Sequence, residues 1–345
     1  MGFEQILRDI AFTGARFFAF SAHAFLFGAP VIILIVLRPV FAKLDEEAWA
    51  EGRTALAARL EGVVQSAFVA SAVATVVAIA LQATIVAGLD EGDVTGPSFL
   101  SVFSATFGQW HLFRFPLLAG LIVLLSGNVR RWTLRPGGGG ANAWWIGWMA
   151  LALTLLATSS FTGHAAVASP RALGLLNDIV HLASASIWFS GIVILAVLLP
   201  DAWAGRGDLE RLSLLGPVVF RFSKVALVSI AIVAVTGTIN SLLNVKTLGD
   251  MVSSAYGASL SVKIFFFLGI LALGAVNHFV LRDRIQKGTD DPRAGAAQRT
   301  FRMTIAIELT IALTIMGVTG WLTGQAKTRQ STVAPSDPVS SGSTP

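Results

Sequence analysis

The chain carries five histidines and no cysteine. A transition metal bound here must therefore be held by imidazole, carboxylate, thioether or backbone groups. Four of the histidines, His23, His111, His164 and His181, fall in or beside apolar runs. Around His181 the residues Asn177, Asp178, His181, Ser184, Trp188 and Gly191 recur at steps of three and four, which makes one semi-polar stripe on a helix. Asp178, three residues before His181, is placed to accept the second ring N–H and fix the tautomer, as carboxylates beside ligating histidines do. It, or Asn177, is equally placed to cap the helix. Trp188 and Gly191 suit helix packing. Met316 and Met149 offer soft thioethers, although methionine also serves as filler. Polar side chains inside an apolar span are costly and concentrate at functional sites. The set His164, His181, His23 and His111, supported by Asp178, Trp188 and Met316, thus reads as a transition-metal site. Two alternatives stay open. Paired imidazoles on facing helices at like depth suit a b-type haem that passes electrons, and histidines that only hydrogen-bond between helices would make the chain a scaffold or sensor.

The elements that must position these side chains are membrane spans. Of the 345 residues 54% are hydrophobic and only 13% charged, where a soluble chain carries roughly 25% charged residues. Lipid must be the solvent. Eight apolar runs reach or approach spanning length: Phe12–Leu37, Gly62–Gly88, Leu112–Ser126, Trp144–Ser160, Leu175–Leu199, Val219–Leu243, Ser259–Leu281 and Thr304–Thr323. All must be helices, because backbone groups facing lipid need internal partners. Most of the 25 lysines and arginines lie in the loops after spans one, three, five and seven, and the loop with Asp90, Glu91 and Asp93 has none. The bias of lysine and arginine to the cytoplasmic side predicts both termini on the outer, periplasmic face and accounts for the net charge of +5 without nucleic acid. Ala22-His23-Ala24 resembles a signal-peptidase site, but the apolar run continues to Leu37 and Arg16 interrupts it, so an uncleaved first span is expected. Residues 327–345, rich in Ser, Thr and Pro, read as a disordered outward-facing tail.

The two halves share a plan. Phe107-Gly108, Arg114 and Asn128 are matched at a constant offset by Tyr256-Gly257, Lys263 and Asn277, and Thr162-Gly163-His164-Ala165 by Thr323-Gly324-Gln325-Ala326. Arg38-Pro39 likewise matches Leu199-Pro200, which sets His23 opposite Ser184, one turn from His181. The expected fold is an all-α polytopic membrane protein, with eight transmembrane helices in two parallel four-helix repeats. Residues 1–165 form the first repeat and 166–326 the second, related by a pseudo-twofold along the membrane normal, with functional groups near their interface. Asn240 and Gln82 sit at matched places late in spans six and two. Lys263 and Arg114 are expected to snorkel to the interface. Glu308, the one acidic residue within the inner half of a span, is expected to pair with Lys224 or Arg221 or to relay a proton or cation.

The sequence has no P-loop, HExxH, CxxC or nucleotide-binding glycine motif, so nothing marks it for ATP-driven pumping or as an enzyme. At His164-Ala165, at the His181-to-Gly191 run ending Ile187-Trp188-Phe189-Ser190-Gly191, at Arg221-Phe222-Ser223 with Thr236-Gly237 and Asn240, and from Tyr256-Gly257 through Lys263 to Asn277, the chain resembles the copper resistance protein D (CopD) family. The resemblance is densest over residues 160–325. Ser190 stands where family members often have glycine, and His278 where an arginine usually follows the asparagine. The resemblance implies an inner-membrane protein of copper uptake or tolerance that receives copper from a small periplasmic carrier of the CopC type. The expectation is a copper transporter with His164 and His181 as first ligands and His23 and His111 next.

Overall fold

A computed structural model describes residues 3–86, 96–126, 140–245, 247, 249–287 and 294–322. The tail, the acidic loop at Asp90, the arginine loop at 130–135 and Asn128 lie outside the described residues. Thirteen helices follow in chain order among the described residues: α1 Phe3–Ile32, α2 Arg38–Phe41, α3 Ala50–Val86, α4 Gly96–Ser104, α5 Thr106–Ser126, α6 Gly140–Thr162, α7 Arg171–Val193, α8 Leu199–Ala202, α9 Asp208–Asn244, α10 Asp250–Ser253, α11 Ala255–Val276, α12 Arg282–Lys287 and α13 Ala294–Leu322. Eight stretches are long and apolar enough to cross a membrane, from Ile6–Phe41 to Gly295–Trp321. They contain or overlap all eight expected runs. Several run further at the basic end, where amphipathic turns rich in arginine continue helices whose apolar middles had already ended.

Three helices pass through a π turn before a short terminal helix: Ile33–Leu37 before α2, Ile194–Leu198 before α8 and Asn277–Leu281 before α12. At the first two the cause is legible. Pro39 and Pro200 stand at the start of the short helix, where each lacks an N–H and its ring crowds the carbonyl four residues back. The widened turn relieves that crowding. In the first case the carbonyl concerned, Ile35, accepts from Arg221 Nη1 at 3.5 Å.

Helices α1 and α7 form the centre. They pack on each other, α1 also packs on α3, α6 and α13, and α7 on α6, α9 and α13. Small residues let them close. A Cβ added to Gly28 would overlap the Ser186 carbonyl, and Ser190 donates to the Ala24 carbonyl at 3.1 Å. The fully buried Trp148 donates to the Leu26 carbonyl at 3.0 Å. Small residues and buried donors of this kind hold spans together where no hydrophobic drive exists between them. At the basic end the loops of the two halves interlock: Arg206 lies over the Trp49 ring at 4.1 Å and donates to the Ala48 carbonyl, and Arg59 meets Asp201 at 3.2 Å.

Candidate metal centre

The end opposite the basic loops holds a cavity of about 400 Å3. Helices α1, α6, α7, α9, α11 and α13 all contribute to its wall. Four of the expected site residues, Asp178, His181, Trp188 and Met316, line it together, and so does Lys263. The wall is otherwise largely apolar, with Phe20, Phe267 and Ile315 among its side chains.

The polar end of the cavity is a hydrogen-bonded network between α7 and α9. His181 Nδ1 lies 2.9 Å from Thr236 Oγ1. Thr236 gives its single hydroxyl proton to the Ile232 carbonyl at 2.6 Å, so its oxygen accepts from the ring and Nδ1 carries the hydrogen. Nε2 is then the unprotonated nitrogen, with a lone pair for a metal. Asn177 Nδ2 donates to the Thr236 carbonyl at 2.9 Å and to Asn240 Oδ1 at 2.8 Å. Asn240 Nδ2 in turn donates to Asp178 Oδ1 at 3.2 Å. The expectation that Asp178 orients His181 is therefore corrected. The threonine hydroxyl does that work, and Asp178 is tied to Asn240 and is an electrostatic neighbour of Lys263. Lys263 does not snorkel to the interface; it faces into the cavity.

His23 and His111 do not line this cavity. His23 is fully buried, with Nε2 at 2.8 Å from Ser71 Oγ on α3, and its Nδ1 has no hydrogen-bond partner among the described residues. His111 stacks on Phe107, ring centroids 4.0 Å apart, and its Nδ1 donates to the Phe107 carbonyl at 2.8 Å. Arg114 is an electrostatic neighbour of both rings, is itself buried, and donates through Nε to Thr158 Oγ1 at 2.9 Å. A guanidinium beside these imidazoles opposes a metal cation there. It is also no snorkelling side chain. Among the described residues no three His, Asp or Glu side chains come together as a metal cluster. The expected convergence of imidazoles from both halves is thus not found among them, nor does the cavity bring His23 and His181 to a shared haem. His164 begins a 3-10 turn, His164–Val167; its side chain lies outside the described residues, but Gly163 and Ala165 on either side border the cavity.

Thr236, Asn240 and Lys263 escaped the reading of a metal site. The signal for Lys263 was present, since it is a lone charge in the apolar run Ser259–Leu281. Thr236 carried only its place in the family motif Thr236-Gly237, and its spacing gave no sign of a ligand partner, because a threonine in a span commonly bonds its own helix. His278, left open by its place after Asn277, has both ring nitrogens engaged. Nδ1 lies 2.6 Å from Ser223 Oγ, and Nε2 accepts from Arg282 Nη1 at 3.3 Å.

Comparison with known proteins agrees with the helices and the motif order. The family model described as "Copper resistance protein D-like, N-terminal domain" matches residues 7–172, and that of "Copper resistance protein D" matches residues 216–322. This chain belongs to the copper resistance protein D family. It is 28% identical over 269 residues to the copper transport protein CutJ of Bacillus subtilis (strain 168), which is 77% of this chain and 47% of that protein. It is also 28% identical over 252 residues to copper resistance protein D of Pseudomonas syringae pv. tomato, which is 72% of this chain and 78% of that one. The chain thus spans about half the length of the Bacillus relative. No solved structure matches it significantly.

Proposed function

We propose that this protein carries copper across the bacterial inner membrane and takes the ion up at this cavity. One observation carries the reading: His181 presents an unprotonated Nε2 in the same cavity as the Met316 thioether. Imidazole and thioether together suit the softer copper ion, Cu(I). His164, between two cavity-lining residues, is the second imidazole of this reading, and Trp188 lines the same cavity. The cavity lies away from the basic loops, and the lysine and arginine bias supports a periplasmic side for it and for both termini. There it would meet a periplasmic carrier of the CopC type. An inside-negative potential favours entry of a cation by about 2.3 kcal/mol per charge per 100 mV, which makes import the downhill direction.

The halves are read as parallel repeats. In support, each has a central helix with a π turn before a proline-led short helix, then a 37-residue helix, α3 or α9. The test is metal analysis with an absorption spectrum of the purified protein and of a His181→Ala, Met316→Ala double variant. The expected result is copper on the native protein and at least tenfold weaker binding by the variant. Equal binding by both would overturn the site, and a haem Soret band lost with His181 would overturn the cargo.

A further inference from the structure

A second polar station lies deeper in the bundle, toward the basic end. Glu308 on α13 is 3% exposed. Its Oε1 accepts from Asn277 Nδ2 at 2.7 Å, and Asn277 Oδ1 accepts from the Thr304 hydroxyl at 2.6 Å. The hydroxyl also lies 2.9 Å from the Phe301 carbonyl, with the shorter contact to the amide oxygen. No cation pairs with Glu308 among the described residues. The charged groups around α13 whose partners are defined are engaged elsewhere. His278 is held by Ser223 and Arg282, and Arg282 meets Asp283 at 3.0 Å. On α9, Arg221 reaches the Ile35 carbonyl and Lys224 lies over the Phe220 ring. On α1, His23 bonds Ser71 and Arg16 reaches the Gly320 carbonyl, and on α2 Arg38 lies over the Trp145 ring. Lys263 on α11 neighbours Asp178, and α7 has no charged residue after Asp178. One neutral donor is poor compensation for an ionised carboxylate out of water. Glu308 must hold a proton or a passing cation.

Its position connects it to the cavity. Lys263, Phe267 and Ile270 of α11 line the cavity, and the same helical stripe continues through Gly274 to Asn277. Met316 and Ala312 of α13 line it too, and one further turn along that face is Glu308. Between these levels the seam is loose at Gly274, where an added Cβ would meet no atom within 4 Å. On the other side, a groove of about 380 Å3 bordered by Arg299 and Arg302 reaches Ile305 and Ala306, within one turn of Glu308 along the helix. The π turn at Asn277–Leu281 sits beside the carboxyl, a feature common at functional sites.

We infer that Glu308 is a proton-exchange site: its carboxyl releases its proton toward the basic end as a cation comes down the α11–α13 seam, and takes one up from the cavity side when the cation has left, so that one proton crosses with each cation. Charge at the buried site is conserved in each exchange. The inference rests on the transport reading for its cation, but its proton chemistry is testable without copper. In metal-free membranes, infrared difference spectra between two pH values should show a carboxylic-acid carbonyl band that disappears in Glu308→Gln and returns, shifted, in Glu308→Asp. In liposomes of the purified protein, copper entry should alter the pH of the lumen, and Glu308→Gln should abolish that change while leaving copper binding at the cavity within twofold. An unchanged infrared band in Glu308→Gln, or unchanged pH coupling with copper entry intact, overturns the proposal. Absence of copper entry in the native protein, with the infrared band present, overturns the cargo and leaves Glu308 as the proton site of a different cation.

Discussion

At His181 the proton position is set by a hydroxyl that has already given its own hydrogen away. Thr236→Val keeps the shape and removes that acceptor. The ring then keeps only its backbone contact to Val233 and is held less firmly, and copper affinity should fall about 10- to 100-fold, the usual cost of losing a group that orients a ligand. Equilibrium dialysis against a competing copper chelator reads this directly, and Thr236→Ser should restore binding. His278 makes the opposite case. Both of its nitrogens serve hydrogen bonds, so His278→Ala should leave copper binding unchanged. It should lower thermal stability by roughly 1 kcal/mol per lost bond, seen as an earlier melting transition in detergent. The stripe Asn177, Asp178, His181 was legible in the sequence because helical spacing exposes it. Its partners were not, because Thr236 and Asn240 sit some 60 residues away and nothing in their local pattern distinguishes a cross-helix bond from a bond within the helix. The assignment of Asp178 to His181 failed for the same reason: proximity along the chain cannot say which neighbour wins.

Among the elements, the close approach of α7 to its neighbours depends on absent side chains. A Cβ on Gly191 would collide with the Phe222 ring, which is rigid and buried. Gly191→Ala should therefore cost about 1–3 kcal/mol through overpacking. Adding Phe222→Leu should recover much of it, whereas Gly62→Ala, where nothing lies within 4 Å, should cost nothing measurable. Melting curves of the three variants decide the matter. The spans themselves were plain from hydropathy, since apolar length is all that a bilayer demands. The π turns were not. An extra residue in an apolar helix changes no hydropathy and leaves the pattern of buried and exposed positions blurred rather than broken. Prolines 39 and 200 marked where two of them fall, but a proline is also read simply as the end of a helix.

For the whole molecule the orientation is the open claim, and the missing cysteines make it easy to test. With no native thiol, a single cysteine placed at Gly207, in the basic loop before α9, or at Arg171, where α7 begins, reports alone. In intact cells an impermeant maleimide should label Arg171→Cys and spare Gly207→Cys, and inside-out vesicles should give the reverse. The opposite pattern would invert the molecule and put the cavity in the cytoplasm. How the halves face each other was only partly readable. The offsets between them predicted a shared interface between repeats, and the cavity is lined mostly by helices of the second half with α1 and α6 of the first. Which imidazoles turn toward it depends on the rotation of each helix, and that is set by packing partners such as Ser186 against Gly28.

That rotation bears on the paired π turns. An α-helix advances about 100° of azimuth per residue, and a π turn is in effect one residue inserted. A helical wheel drawn straight through Ile33–Leu37 or Ile194–Leu198 therefore assigns the wrong bearing to everything beyond. Deleting one residue from the first turn would restore a plain α-helix there and keep Pro39 and Phe41 near their present heading, with His23 and Gly28 where they are. The extra residue is thus absorbed within the turn, and a redesign that shortens it need not re-aim either end of the central helix.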